Sequence, residues 1–228
     1  RVEVLGTLCV YVDDFLLQTA DGPVRDEFLK ALGGIWTLAK EETLSSEHPI
    51  TFLGIEMEMR ANGDVYLHQT TFAQSILAKH GMDRSKAIKC ITVGHLPEVP
   101  SPPDAKALKD LQGFSGEFNW LATRTRPDLA YYTSVLASAC TKHSEWCFDF
   151  VNKILRFLVG TASQGILISV RGCLESLVSW SDAGFAGSDT KSQTGLIATW
   201  GGSIITWRSS RQTVSTLCTA EAELNAAT

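Results

Sequence analysis

Three observations on this 228-residue sequence predict an α+β fold. Early in the chain, apolar runs alternate with polar residues between turn signals, the pattern of strands. Through the middle, apolar residues recur at helical spacing. Toward the end, short glycine-punctuated strands return and lead into a helix rich in Ala and Glu, which reads as the start of an α/β domain. An apolar content of 44% is enough for one large core or two small ones.

Val4 to Val12 and Phe15 to Gln18 read as a buried hairpin with Asp13 and Asp14 at its tip. After Gly22-Pro23, the residues Phe28, Leu29, Leu32, Ile35, Trp36 and Ala39 fall at helical spacing. Gly33-Gly34 can end that helix early and leave Ile35 onward extended, and the sequence leaves the boundary open. Thr51 to Met59 alternates with Glu56 and Glu58 outward, and Asn62-Gly63, a strong hairpin signal, turns it into Asp64 to His68. Thr71-x-x-Gln74 has capping-box spacing and Gly81 follows the last periodic residue, so a helix is expected from Thr71 to His80. Four of the seven prolines (Pro97, Pro100, Pro102 and Pro103) then mark a linker.

Beyond the linker, Leu111, Phe114, Phe118, Leu121 and Ala122 form an apolar stripe, with Gly113 and Gly116 allowing close packing. Asp128 is placed to cap a second helix through Ala139. A third helix, Ser144 to Leu158, buries Trp146, Phe150, Val151, Ile154, Leu155 and Leu158. These three read as a helical packing unit. Any basic track on this unit would fall to Arg124, Arg126, Lys153 and Arg156, although four basic residues more often make an ordinary solvated face. Gly165 to Val170, Ser176 to Ser181, Thr194 to Trp200 and Ser203 to Arg208 read as strands, followed by a helix from Thr219. The expected divisions are 1–93, a linker at 94–106, the helical unit at 107–163, and a last domain at 164–228.

No apolar run approaches the ~18 residues that suggest a membrane helix, and no basic-then-apolar leader opens the sequence. The six cysteines (Cys9, Cys90, Cys140, Cys147, Cys173 and Cys218) lack metal-knuckle or disulfide spacing, so reduced and mostly buried thiols are expected. Net charge is −5, from 25 acids against 20 bases. A stand-alone nucleic-acid binder usually carries a basic footprint. The acids crowd the first 60 residues, around the paired aspartates.

Adjacent carboxylates repel and lose hydration when strands hold them close, so a function that wants negative charge explains Asp13 and Asp14. Mg²⁺ prefers oxygen ligands and is commonly held by one or two carboxylates plus substrate phosphates. Successive strand residues point to opposite sides, which favours Asp13 as the principal ligand with Asp14 in support. An acidic turn between two strands is the alternative. Near the end, Asp182 closes a strand in Trp180-Ser181-Asp182-Ala183-Gly184, and Glu223 lies on the final helix.

Tyr11-Val12-Asp13-Asp14 resembles the Tyr-x-Asp-Asp box of reverse transcriptases. Four further segments, in order, resemble the Pol polyprotein of copia-type LTR retrotransposons: Phe52 to Met57, Thr125 to Ala130, Ile154 to Leu158 with Gly160-Thr161, and Ser181 to the end. The resemblance covers nearly the whole chain. It implies the C-terminal part of a reverse-transcriptase palm with a primer-grip-like hairpin at Phe52-Leu53-Gly54-Ile55, a helical thumb or connection, and the first part of a ribonuclease H-like domain. It also implies Asp13, Asp14, Asp182 and Glu223 as metal ligands and catalytic residues, with two Mg²⁺ ions per complete site and Mn²⁺ as a substitute. In a ribonuclease H domain Asp182 would end a central strand and share an ion with Glu223 rather than Glu221. Gly184, Leu224 and Ser209-Ser210-Arg211-Gln212 depart from the usual Asp, Tyr and Ser-Lys-Lys-Gln without removing a ligand.

The implied partners are an RNA template, a DNA primer, an RNA–DNA hybrid and the rest of the polyprotein, with no membrane. The implied location is intracellular, in a cytoplasmic particle or the nucleus. On this resemblance both active sites are expected to be completed by residues outside the segment, leaving it inactive alone. The alternative is a decayed, non-catalytic remnant that binds or packs against a partner.

Overall fold

The computed structural model describes residues 4–82, 84–171, 176–186 and 191–227. Its first element is a two-stranded antiparallel ribbon, β1 (Gly6–Tyr11) and β2 (Asp14–Thr19), closed by Val12-Asp13 between the paired Tyr11 and Asp14. Val12 sits at φ 53°, a region that crowds a β-branched side chain but matches the twist of a two-residue hairpin. The ribbon, read from sequence as buried, lies open: every residue of β1 except Leu8 is exposed. A two-stranded ribbon has two faces, and its neighbours cover part of one. The helix α1 (Pro23–Gly33) brings Val24 and Phe28 to Leu8 and Leu17, and Phe15 meets Trp36 at 5.8 Å between ring centroids. The open boundary falls at Gly33: the Gly34 N–H bonds back to the Lys30 and Ala31 carbonyls, and Ile35 and Trp36 leave the helix exposed.

A four-stranded antiparallel sheet follows, in the order β3 (Ile50–Phe52), β4 (Ile55–Met59), β5 (Val65–His68), β6 (Gly165–Ile168). Leu53 and Gly54, at φ 53° and 73°, close β3 onto β4 in a two-residue turn with both angles positive. The strand β6 corrects the sequence reading, which gave it to the C-terminal domain. It pairs instead with β5, Val65 opposite Ile168 and His68 opposite Gly165. Glycine makes this approach possible, since a Cβ at Gly165 would lie 2.1 Å from the Leu67 carbonyl oxygen. Asp64 reinforces the junction by accepting from the Val170 N–H (3.0 Å), the Ser169 hydroxyl (3.1 Å) and the Asn62 amide (2.8 Å). The Val170 bond foremost, then that from Asn62, holds this carboxyl below the usual aspartate range despite the opposing cost of burial.

The helix α2 (Thr70–Lys79) has no capping box. Its N-terminus is capped from β4: the Glu56 carboxylate accepts from the Thr71 N–H (2.8 Å) and hydroxyl (3.1 Å). Glu56, read as outward, thus serves the positive end of the helix dipole.

The helical unit comprises α3 (Ala105–Arg124), a 3-10 turn (Pro127–Leu129), α4 (Ala130–Ala139) and α5 (Ser144–Thr161). Asp104 caps α3 by accepting from the Ala107 N–H at 2.7 Å. Phe118, Leu121, Leu136, Ile154 and Leu158 are buried in one core with Ile76 and Leu77 of α2. Asp128 does not cap α4 through its side chain. It accepts two bonds from Arg126 (2.9 and 2.8 Å), and Arg126 also donates to the Thr161 carbonyl (2.8 Å) and hydroxyl (2.9 Å). At 2% exposure, Arg126 is a core residue and not part of a surface track. Arg156 and Lys153 donate to the carbonyls of Lys86 and Thr92, and Arg124 lies 4.6 Å over the Trp120 ring. These side chains are engaged with the protein itself.

The last sheet has the order β7 (Leu177–Gly184), β8 (Gln193–Trp200), β9 (Ser203–Arg211), all antiparallel. On one face α6 (Thr219–Ala227) packs Ala222 and Ala226 onto Ala183. The other face meets the helical unit, where the Trp207 indole donates to the Ala122 carbonyl at 2.6 Å and Gln193 donates to the Ser134 hydroxyl at 3.1 Å. Among the described residues β7 is an edge strand of this sheet. Cys140 and Cys147 are buried, whereas Cys9, Cys90 and Cys218 are exposed. The expectation of mostly buried thiols therefore holds only in the helical core, and Cys173 lies outside the described residues. Burial, helped by Cys140, pushes the Cys147 thiol up to about 11.

Candidate metal sites and the cleft between helices and sheet

The β1–β2 turn carries Asp13 in the loop and Asp14 as the first residue of β2, directly opposite Tyr11. Both are exposed. Two adjacent carboxylates on a two-residue hairpin offer hard oxygen ligands with their solvent side open, a donor set suited to Mg²⁺ completed by substrate phosphates. Among the described residues no group of three or more His, Cys, Asp and Glu is assembled to hold an ion. The hairpin tip fits as part of a metal site, not a whole one.

The C-terminal pair is arranged differently. Glu221 accepts from the Leu217 N–H at 2.6 Å and so closes the first turn of α6. Glu223, two residues on and therefore about 200° around the helix, is half-buried. Ala183 is the β7 residue that meets α6, so its exposed neighbour Asp182 leaves the strand on the opposite side. The carrying elements pack together, but the structure does not set the two carboxylates on a common face.

Asp182 instead lines a cleft of about 920 Å³ between the sheet and α4, together with Trp180 and Arg211 of the sheet, Tyr131 of α4, and His95. Sequence reasoning missed this cleft. Trp180, Asp182 and Gly184 alternate along β7 and would have signalled a shared face, but the opposing wall comes from α4, fifty residues earlier.

The chain is 27% identical over 221 residues to an uncharacterized mitochondrial protein of Arabidopsis thaliana, an alignment covering 96% of this chain and 89% of that one. It is 30% identical to the retrovirus-related Pol polyprotein from transposon RE1 of Arabidopsis thaliana, over 95% of this chain and 14% of the polyprotein. It is 27% identical to the corresponding polyprotein from transposon TNT 1-94 of Nicotiana tabacum, over 97% of this chain and 17% of that one. The chain thus spans about a seventh of the polyproteins it matches. No protein-family model matches it, and no solved structure matches it.

Proposed function

Because the chain belongs to the Pol polyprotein family of copia-type retrotransposons, we propose that it forms the part of such a polyprotein that joins its polymerase and nuclease sites. In this reading the segment contributes Asp13 and Asp14 to RNA-directed DNA synthesis, and Asp182 and Glu223 to cleavage of RNA in RNA–DNA hybrids. The observation that carries it is the Tyr11-Val12-Asp13-Asp14 box at a hairpin tip with both carboxylates open to solvent. Mg²⁺ held there supplies charge stabilisation for in-line displacement at a phosphate. Asp13 and Asp14 provide its oxygen ligands, and the short turn keeps them adjacent. The RNA template, DNA primer and hybrid are the proposed partners, and neighbouring parts of the polyprotein complete both sites.

In a polyprotein containing this segment, Asp13→Asn is expected to abolish DNA synthesis and leave hybrid-strand cleavage largely intact. Asp182→Asn and Glu223→Gln should do the reverse, with Glu221→Gln close to wild type in both assays. Near-normal synthesis after Asp13→Asn would sink the polymerase assignment, and cleavage that survives Glu223→Gln would sink the nuclease assignment. A second reading, a non-catalytic remnant, draws support from Gly184, Leu224 and Ser209-Ser210-Arg211-Gln212, which stand where the family usually has Asp, Tyr and Ser-Lys-Lys-Gln. Loss of both activities from an otherwise intact polyprotein carrying this segment would favour it.

A further inference from the structure

We propose that Gln212 is a positioning residue for hybrid cleavage: its buried side chain ties the middle of α6 to β8 and so sets where Glu223 stands. The inference rests on the reading of Glu223 given above and adds to it a residue that does not itself touch the substrate.

The apolar packing of α6 leaves its placement underdetermined. Its buried residues are Ala222 and Ala226, which meet Ala183 through methyl groups, and Leu224 is 66% exposed. Methyl contacts are weak and non-directional, so they hold a helix on a sheet without fixing its rotation or its height along the strands. A hydrogen bond is directional. The Gln212 amide supplies one at the place required: its Nε2 donates to the Ala222 carbonyl at 2.8 Å and to the Thr194 hydroxyl of β8 at 3.1 Å. Ala222 immediately precedes Glu223, so this bond holds the backbone from which that carboxylate projects.

Gln212 is itself held firmly. It directly follows β9, it is 7% exposed, and its backbone N–H donates to the Ser192 carbonyl at 2.8 Å. Ser192 and Thr216, both fully buried, bring their hydroxyls to 3.1 Å, which secures the stretch between β9 and α6.

Stability alone is a poor reason for this amide. A carbonyl inside a helix already receives a backbone donor, so the bond to Ala222 satisfies no group that would otherwise go without. Because that carbonyl only accepts, Nε2 must face it, and among the described residues this leaves Oε1 buried without a partner. An unsatisfied buried acceptor is destabilising, whereas Met fills irregular space with no such oxygen.

The test uses a polyprotein containing this segment, assayed for cleavage of RNA in a preformed hybrid and for DNA synthesis. Gln212→Met should lower the kcat of cleavage by about 10- to 100-fold, with KM for the hybrid and DNA synthesis near wild type. Thr213→Ala, an exposed neighbour, should match wild type throughout. In the 228-residue chain, Gln212→Met should keep the melting temperature while the α6 amides exchange faster than in wild type and those of β8 do not. Gln212→Glu gives an independent arm. A protonated carboxyl can donate to the Ala222 carbonyl and a carboxylate cannot. Burial raises the pKa of such a group, so cleavage relative to wild type should recover as pH falls from about 8 to about 6. If the Met variant fails to fold, this pH ratio decides. The proposal is overturned by wild-type cleavage in Gln212→Met, by a loss shared equally with DNA synthesis, by α6 amides that exchange as in wild type, or by a Gln212→Glu ratio that stays constant with pH. Glu223→Gln separates the two claims: cleavage that survives it rejects the reading of Glu223, whereas loss there with normal cleavage in the Gln212 variants rejects the positioning role alone.

Discussion

Arg126 makes four hydrogen bonds at 2% exposure, two to Asp128 and two to Thr161. Asp128 is 39% exposed, so Arg126→Ala leaves a hydrated carboxylate, and the expected cost in urea unfolding is about 1.5–3 kcal/mol from the lost charge-assisted hydrogen bonds. Arg126→Lys should recover only part, since an ammonium cannot make the two parallel bonds of a guanidinium. An Ala variant within about 1 kcal/mol of wild type would show that the network contributes little. From sequence this arginine looked like one of four surface cations. Charge is legible in a sequence, but burial here depends on Thr161 arriving thirty-five residues later. Asp13 and Asp14 differ in kind: their adjacency and the two-residue turn are local, and local signals located them.

At the scale of elements, the tie between β5 and β6 runs through Asp64. Its carboxyl titrates lower in the folded protein than in the unfolded chain. The tie therefore contributes fully above about pH 4 and is lost as pH falls through the folded value. Acid titration followed by circular dichroism should show the wild type losing stability below about pH 4. Asp64→Asn should be less stable at neutral pH and show a smaller change across the same range. Identical pH dependence in the two proteins would reject this role. The hairpin turns and the helical periods were readable in the sequence because both repeat over a few residues. The capping of α2 by Glu56 and the pairing of β6 with β5 were not, because each joins elements distant along the chain.

Across the whole molecule, burial is uneven. The α2–α5 core contains fully buried Leu111, Phe118, Leu136, Ile154 and Leu158, and the β7–β9 sheet is fastened to it through Trp207 and Gln193. The β1–β2 ribbon keeps Val10, Tyr11 and Val12 more than half exposed. Regions with few buried contacts open at low free-energy cost. Hydrogen exchange should therefore be slowest in α3 and α5, intermediate in β7–β9, and fastest in β1 and β2. Protection of the ribbon equal to that of α5 would contradict this order. Among the described residues no third metal-binding side chain joins Asp13 and Asp14, so the isolated chain is also expected to show no template-directed nucleotide incorporation with Mg²⁺, measured on nuclease-free protein.

Local pattern was sufficient for the succession of strands and helices, the apolar faces of α3 and α5, the turn at Asn62-Gly63, the first hairpin to within one residue of its Val12-Asp13 turn, and the ordered motifs that relate this chain to retrotransposon polyproteins. These properties repeat or act within a few residues, where period, turn chemistry and residue order suffice. The burial of Arg126, the opposite settings of Asp182 and the helix bearing Glu223, and the cleft against α4 arise from packing between distant elements. Such packing is settled by which faces bury together in three dimensions, a choice that no short stretch of sequence makes alone.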